Sequence, residues 1–467
     1  MRDPTQVASL PVESHEGIAP VAVTAGVEAA HLVSDSLRAT ILRVALPAVA
    51  SSLLMTLFAS VDAFWVGTKI GPAGLAAVST SLFWIWMIVS LAEMTGIGLT
   101  AVAARRYGEQ RPLEAARLAG DAVVFSILLG ALVGFVGGHN LTALFRIMGT
   151  PTEVTALGSA YLKTYLFGTP LIYGFFAVDA AFRASGDTRT PFILLLTSVA
   201  ITLVLDPVLM LGLGPFPRLG IAGAAIATIA TRGAACVMGF TIAARRGLLR
   251  LGRVRLESIV AVCRVGLPTA ITGMSFSLIY VFLTRTTTLF GTPALAALGI
   301  GHRVESWLFM IGVGFGAATA AIVGQNLGAG RPDRAARAGW MATAFCSSLG
   351  VVAFVLELTF PRQFAGLFTN DLAVISEAAK YLRIVAVSQL AVCAEIVLEG
   401  ALGGAGDTVP PMLASTAITA SRIPLAAWAA NRWGSAGIWW VISLTAIGRG
   451  VAMAVLWGRG GWRRRSV

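Results

Sequence analysis

Apolar runs of twenty or more residues recur along the whole chain and are separated by short polar segments. Each run is long enough to cross a hydrocarbon core about 30 Å thick as a helix. The weak ten-residue alternation typical of a membrane β-barrel is not seen. The pattern therefore predicts an all-α integral membrane fold with about twelve transmembrane helices. The predicted spans are 38–68, 73–105, 113–138, 153–185, 188–212, 220–246, 257–289, 293–327, 333–357, 373–405, 408–430 and 435–457.

The second half of the chain repeats the first at a constant spacing. The stretch 108–117 (GEQRPLEAAR) matches 328–337 (GAGRPDRAAR), and the Gly-Asp-Thr at 186–188 matches that at 406–408. Six helices per copy leave both copies with the same orientation, as in transporters built from parallel repeats around a central cavity. The predicted divisions are an N-lobe at 38–246, an Arg-rich linker at 247–256, a C-lobe at 257–457 and a basic tail at 458–467.

Composition excludes a soluble protein. The chain is 56% hydrophobic and 12% charged, with a mean hydropathy of +0.80, whereas soluble domains carry about 25% charged residues. The net charge of +12 is concentrated in alternate loops, so it indicates membrane orientation and not nucleic-acid binding. The positive-inside rule places those loops and both termini in the cytoplasm of a multi-pass inner (plasma) membrane protein. Residues 1–37 are mixed and polar, and we expect a disordered cytoplasmic extension there.

Two acids at similar depth in the N-lobe are the main candidates for chemistry. Asp62 lies near the outer end of the first span and Asp206 near the outer end of the fifth. An acid at the centre of a membrane helix costs about 3 kcal/mol. Two carboxylates in one poorly solvated pocket cannot both ionise cheaply, so the pair could bind and release a proton. The same oxygens could coordinate Na⁺, and the alternative is that each acid only braces the lobe.

Other ionisable residues inside the spans are secondary candidates. Glu93 and Glu395 have no acidic counterpart in the other repeat, and function or packing would explain each. His302 and Glu305 lie three residues apart on one helical face, where they could form an internal ion pair.

Sequence motifs do not indicate an enzyme, because Walker, H-E-x-x-H, G-x-S-x-G and dinucleotide-binding patterns are absent. Without an ATP site, uphill transport would draw on an ion gradient. One charge moved through 100 mV supplies about 2.3 kcal/mol.

Taken in order, several motifs resemble the multidrug and toxic compound extrusion (MATE) family, and within it the DinF-like branch. They are VDAFWVG at 61–67, LAAV at 75–78, AARRYG at 103–108, GDT at 186–188, LDP at 205–207, GAAIAT at 223–228 and VGQNLGAG at 323–330. The resemblance implies a twelve-helix antiporter that exports organic cations and amphiphilic drugs in exchange for H⁺ or Na⁺, without an organic cofactor. It also implies a protein that meets membrane lipid, binds no nucleic acid and acts as a monomer.

The same resemblance assigns residues to a cation-coupling site in the N-lobe. It carries the first-helix acid to Asp62, the fifth-helix acid to Asp206 and a sixth-helix threonine to Thr228. Two positions depart from the family pattern, with Phe58 where a tyrosine is frequent and Thr202 where an asparagine is frequent. We keep Thr202 as a coupling candidate and Phe58 as a cavity candidate. The NorM-like branch carries a glutamate in the seventh helix, and the matching stretch 274–277 (MSFS) has none. Its absence favours a cation site in the N-lobe.

Two alternatives remain open. A flippase for lipid-linked precursors, a function of related folds, would need a cationic cavity, and we count only Arg285 and Arg303 as suitable inside the spans. A receptor or scaffold without a transport cycle would not need paired acids.

Overall fold

The computed structural model describes residues 32–70, 72–139, 141, 144–145 and 152–465, and these form a bundle of long helices. In chain order the helices are α1 Leu37–Lys69, α2 Pro72–Gly108, α3 Pro112–His139, α4 Thr152–Phe167, α5 Thr169–Ser185, α6 Arg189–Leu211, α7 Ile221–Arg245, α8 Leu256–Thr288, α9 Gly291–Gly328, α10 Pro332–Thr359, α11 Pro361–Gly366, α12 Leu372–Ala386, α13 Gln389–Gly404, α14 Val409–Ala420, α15 Arg422–Trp433 and α16 Ser435–Arg459. A 3₁₀ turn at Gly461–Arg464 follows them.

Nine of the described helices are long and apolar enough to cross a membrane. Two further spans are broken: α4 and α5 meet at 52°, and α12 and α13 meet at 58°. The pair α14 and α15, which meet at Ser421, takes the place in the second repeat that α6 has in the first. The predicted all-α membrane fold of about twelve helices is confirmed. We refer to α1–α7 as the N-lobe and to α8–α16 as the C-lobe.

The Gly-Asp-Thr motif of each repeat forms the turn between the fourth and fifth spans. Gly186 ends α5 with φ +100°, a conformation in which an L side chain would be strained. The Asp187 carboxylate then accepts the backbone N–H groups of Arg189 and Thr190 at 3.0 and 2.9 Å, which caps the start of α6. In the second repeat Gly406 has φ +79° and the Asp407 N–H donates to the Leu402 carbonyl, as the Asp187 N–H does to the Phe182 carbonyl, so both repeats make the same backbone turn.

The two lobes meet mainly where α1 packs on α9 and α2 packs on α8. Close approach concentrates toward one end of the bundle, which we call the Arg-rich end because the loops at 109–111, 246–255 and 329–331 and the C-terminal turn lie there. A Cβ at Gly266 of α8 would overlap the Met94 carbonyl oxygen of α2. At Gly328 of α9 a Cβ would overlap the Arg105 carbonyl oxygen. The lobes are in backbone contact at the Arg-rich end.

A short segment before α1, residues 32–36, crosses this end and is called the strap here. The Leu32 carbonyl accepts the Asn326 side-chain amide at 3.3 Å, and Arg331 Nη1 donates to the Val33 carbonyl at 3.0 Å. The Leu32 side chain contacts the turn at Gly186 in the N-lobe. The strap belongs to the stretch expected to be disordered, yet it makes defined contacts with both lobes; residues 1–31 of that stretch lie outside the described residues.

Candidate functional site

The two N-lobe acids lie on facing helices of the bundle interior. Asp62 is on α1 and is 6% exposed, while Asp206 is on α6 and is 0% exposed. The helices α1 and α6 pack directly on one another, and the charges of the two carboxyls interact. The predicted pair is therefore brought together in one buried place.

These carboxyls have almost no protein donors. Asp62 Oδ2 accepts the Tyr161 hydroxyl at 3.4 Å, a long hydrogen bond. Asp62 Oδ1 and both oxygens of Asp206 are buried with no hydrogen-bond partner among the described residues. A buried carboxylate without donors is costly, and a bound proton or cation removes that cost.

The two threonines of the predicted site lie beside the acids on α6 and α7. The Thr202 hydroxyl is 2.7 Å from the Thr231 hydroxyl and donates to the Ser198 carbonyl at 2.7 Å. Thr231 also reaches the Thr228 carbonyl at 3.2 Å, and Thr228 is 6% exposed. In the described part of the chain neither Thr202 nor Thr228 donates to an acid. The threonines hold α6 against α7 next to Asp206.

Phe58 is buried one helical turn before Asp62, and its ring faces a charged residue that the sequence analysis did not single out. The Arg232 guanidinium carbon of α7 lies 5.7 Å from the ring centroid. Arg232 Nη2 donates to the Met55 thioether sulfur at 3.1 Å. A basic residue near the middle of an apolar span is as readable a signal as an acid, so the sequence already contained this candidate.

Glu93 of α2 occupies a different environment. Its side chain is exposed, although the residue lies near the middle of the membrane-spanning helix α2. It lies within electrostatic range of Arg183, which already pairs with Asp179 one turn away on α5. Glu93 is therefore separate from the Asp62 and Asp206 pair.

In the C-lobe, His302 and Glu305 belong to a polar cluster around a tyrosine. The Tyr381 hydroxyl donates to Glu305 Oε2 at 2.9 Å, whereas His302 Nδ1 is 3.8 Å from the same oxygen. The Tyr280 ring packs edge-on against the His302 ring at 4.3 Å between centroids. The expected ion pair is thus the weaker of the two contacts that Glu305 makes.

Glu395 has a cationic partner that the sequence analysis missed. Arg449 Nη1 of α16 is 2.8 Å from Glu395 Oε1 of α13, with both residues buried. The nearby Arg422, 2% exposed at the start of α15, donates to the Thr445 hydroxyl at 2.7 Å. The C-lobe interior therefore holds two buried guanidinium groups.

The expectation that only Arg285 and Arg303 could supply positive charge inside the spans is wrong. Both of these side chains are exposed. The buried arginines of the described spans are Arg232, Arg422 and Arg449. A hydropathy pattern shows that an arginine lies within a span, but it does not show whether the side chain turns inward.

Two repeats of membrane-spanning helices, in contact at one end and holding buried acids in their interior, define a multi-pass membrane protein of the transporter class. The MatE family model matches residues 47–208 and 268–428, more than half of the chain. The chain belongs to the MatE family.

The similarity to known proteins extends over most of their length. The chain is 28% identical over 444 residues to a probable multidrug resistance protein NorM of Thermotoga maritima, covering 92% of this chain and 94% of the relative. It is 26% identical over 356 residues to an FAD transporter of Shewanella oneidensis, covering 75% and 78%. A solved MOP superfamily transporter from Pyrococcus furiosus shares the fold with a TM-score of 0.86 at 21% identity, covering 93% of this chain and 98% of that one.

Proposed function

We propose that the protein is a multidrug efflux antiporter of the DinF-like branch, in which H⁺ or Na⁺ binds at Asp62 and Asp206 and drives export of organic cations and amphiphilic drugs. The single observation that supports this most strongly is the buried acid pair, three of whose four oxygens have no partner in the described residues. An incoming cation would compensate these oxygens. Release of the cation on the other side would leave them uncompensated again.

Coupling requires only that the ion and the drug favour different conformations. The lobes contact one another at the Arg-rich end, which the positive-inside rule assigns to the cytoplasm together with both termini. On that assignment the present conformation is closed to the cytoplasm. Ion binding between α1 and α6 would alter how these helices pack and so weaken the hold of the N-lobe on the drug.

Relatives and local chemistry support different parts of the proposal. The Thermotoga maritima relative is named as a multidrug resistance protein, which supports drug export. Carboxyl oxygens suit either ion, and the Thr202 and Thr231 hydroxyls lie close on α6 and α7. Among the residues described, no three carboxyl, imidazole or thiol groups converge as a metal site. An Na⁺ ion would need further hydroxyl or carbonyl oxygens to complete its coordination shell, whereas a proton needs only one carboxyl oxygen.

The test is efflux of a fluorescent organic cation from proteoliposomes that carry either a pH gradient alone or an Na⁺ gradient alone. The wild type would export under one gradient. Asp62→Asn and Asp206→Asn, which keep size and lose charge, would each lose that coupled export. Export by both variants at the wild-type rate would reject the proposed site.

The matched control is Glu153→Gln, which removes an exposed acid at the start of α4 in the same lobe. This control should export as the wild type does. If the wild type exported no cation under either gradient, the antiporter proposal itself would fail.

A lipid-linked precursor flippase remains the second candidate, and the three buried arginines and the FAD transporter relative favour it because phosphates bind guanidinium groups. In the C-lobe, however, Arg449 is already paired with Glu395, and Glu399 lies within electrostatic range of Glu395. The C-lobe arginines are therefore balanced by acids. Competition by a lipid-linked sugar against drug export would support the flippase.

A further inference from the structure

Arg232 differs from the other charged residues of the N-lobe interior. It lies at the middle of α7, a membrane-spanning helix, and is 7% exposed. A charge at this depth is expensive and is normally paired with an opposite charge or directed into a polar cavity. A paired acid or a polar cavity is therefore expected beside Arg232.

The surroundings of Arg232 contain weak acceptors only. Its nitrogen contacts the Met55 sulfur at 3.1 Å, and its guanidinium carbon lies 5.7 Å from the Phe58 ring. The phenols of Tyr161 and Tyr165, which carry no net charge, also lie near it. In the part of the chain that the structure describes, no carboxylate lies within ion-pair distance of this guanidinium.

The other two buried arginines differ from Arg232 because each has an acid nearby. Arg449 pairs with Glu395 at 2.8 Å, and Arg422 donates to the Thr445 hydroxyl and lies within electrostatic range of Glu395. Arg232 alone among these three has no acid near it in the described residues. A thioether and an aromatic face recover only part of the cost of burying a guanidinium.

We infer that Arg232 binds an anionic group, a carboxylate or a phosphate, of the transported molecule. The inference rests on the proposed function and names part of its substrate class: molecules that carry a cationic and an anionic group together. Arg232 lies one helical turn after Thr228 on α7, which places it about 6 Å farther along the helix from its first residue, Ile221. The acid pair would attract the cationic group, and the planar guanidinium would hold the anion through two parallel hydrogen bonds.

Two probes that differ in one charge test this directly. The first is an amino acid derivative with a fluorescent aromatic group, a protonated amine and a free carboxylate; the second is its methyl ester, which keeps only the amine charge. Affinity of the purified protein for each probe is measured by fluorescence anisotropy, without any ion gradient. Wild type should bind the carboxylate probe at least as well as the ester.

The variant Arg232→Met keeps most of the side-chain volume and removes the charge. The ratio of carboxylate affinity to ester affinity should fall at least tenfold in Arg232→Met and less in Arg232→Lys, which keeps the charge without the planar fork. The control Arg218→Met removes an exposed cation between α6 and α7 and should leave the ratio at its wild-type value. An equal loss of affinity for both probes, or none, would mean that Arg232 only packs against Phe58 and would overturn the inference.

Two further measurements separate substrate binding from misfolding and from lipid binding. If Arg232→Met did not fold, Arg232→Lys would decide: a fall of about threefold or more in the ratio would support the inference, and an unchanged ratio would overturn it. A wild-type preference for the carboxylate that disappears when phosphatidylglycerol is added to phosphatidylcholine vesicles would assign Arg232 to a lipid headgroup and overturn the inference. Binding is measured without transport, so this test remains valid even if the protein proves not to be an antiporter. Conversely, an antiporter with normal cation efflux whose affinity ratio does not depend on Arg232 would overturn this inference and leave the proposed function standing.

Discussion

Tyr161 and Tyr381 occupy the same position in the two repeats, and each donates its hydroxyl to a membrane-embedded acid of its own lobe. The acceptor is Asp62 on α1 at 3.4 Å in the N-lobe and Glu305 on α9 at 2.9 Å in the C-lobe. The repeat has therefore kept the donor while the acid comes from a different helix. The two lobes share a scaffold, but they place their acids differently.

Replacing Tyr161 by Phe should impair coupling more than the same change at Tyr381. Asp62 would lose the only hydrogen-bond donor that the described residues give it. A hydrogen bond to a charged group is worth about 1.5–3 kcal/mol, and this one is long, so we expect a loss of about three- to tenfold in coupled efflux. Efflux from proteoliposomes measures it, with Tyr381→Phe as the matched comparison. An equal loss in both variants would place coupling in both lobes.

Arg422 takes the position in the second repeat that Thr202 has in the first. Thr445 matches Thr231 once the shorter connection before α16 is allowed for, because α7 begins at Ile221 after Gly220 and α16 begins at Ser435 after Gly434. In the N-lobe the two hydroxyls are 2.7 Å apart; in the C-lobe the Arg422 guanidinium is 2.7 Å from the Thr445 hydroxyl. The same inter-helix contact is therefore neutral in one lobe and positively charged in the other. This positive charge lies within electrostatic range of the buried ion pair of the C-lobe.

The Glu395 and Arg449 pair should show strong coupling in a double-mutant cycle. Each single variant, Glu395→Gln or Arg449→Met, leaves one buried charge without its partner, which costs about 3–5 kcal/mol. The double variant removes both charges and should be more stable than at least one of the single variants. Thermal unfolding of the detergent-purified proteins measures this. Additive losses would show that the two side chains act independently.

Sequence alone predicts the helices well but not their breaks. Hydropathy reports whether a segment can lie in lipid, and the observed helices begin and end within a few residues of the predicted spans. It does not report direction, so the bends at Gly168 and at 387–388 and the break at Ser421 do not follow from it. Pro170 and the run Pro410-Pro411 are visible in the sequence, but each lies at the start of a helix, where proline is tolerated.

The candidate site is predicted only in part for a related reason. Asp62 and Asp206 stand out because an acid in an apolar run is costly on its own. Arg232 is equally visible in the sequence, but no acid lies three or four residues from it on the same helix to suggest a partner. Arg449 lies far from Glu395 in the chain, so their pairing depends on how α13 and α16 pack. Contacts of this kind come from tertiary packing and not from helical periodicity.

Close approach of the lobes at Gly266 should be necessary for transport. A valine there would meet the Met94 carbonyl, and overpacking of this kind costs about 1–3 kcal/mol, which lowers the population of the closed arrangement about five- to 150-fold. Gly266→Val should therefore lose most of its efflux while each lobe keeps its own packing. Gly299→Val is the control, since a Cβ at Gly299 meets no atom within 4 Å. Normal efflux by Gly266→Val would show that this contact opens without cost.

Loss of the strap should favour opening at the Arg-rich end. Arg331 and Arg334 of the C-lobe donate to the Val33 and Asp35 carbonyls, and Leu32 contacts the N-lobe turn at Gly186, so the strap joins the lobes. Charged hydrogen bonds contribute about 1.5–3 kcal/mol each when buried and less where partly exposed, as here. The double variant Arg331→Ala with Arg334→Ala should therefore shift the closed population by about tenfold or less.

Spin labels at Leu113 in the N-lobe and Val455 in the C-lobe, both exposed near the Arg-rich end, would report this shift once the four native cysteines are replaced. The distance distribution should gain a longer component in the double variant. Arg337→Ala removes an exposed arginine from the same helix, one turn beyond Arg334, and should leave the distribution unchanged. A double variant that keeps the wild-type distribution would mean that backbone packing of α1 on α9 and of α2 on α8 holds this end closed without the strap.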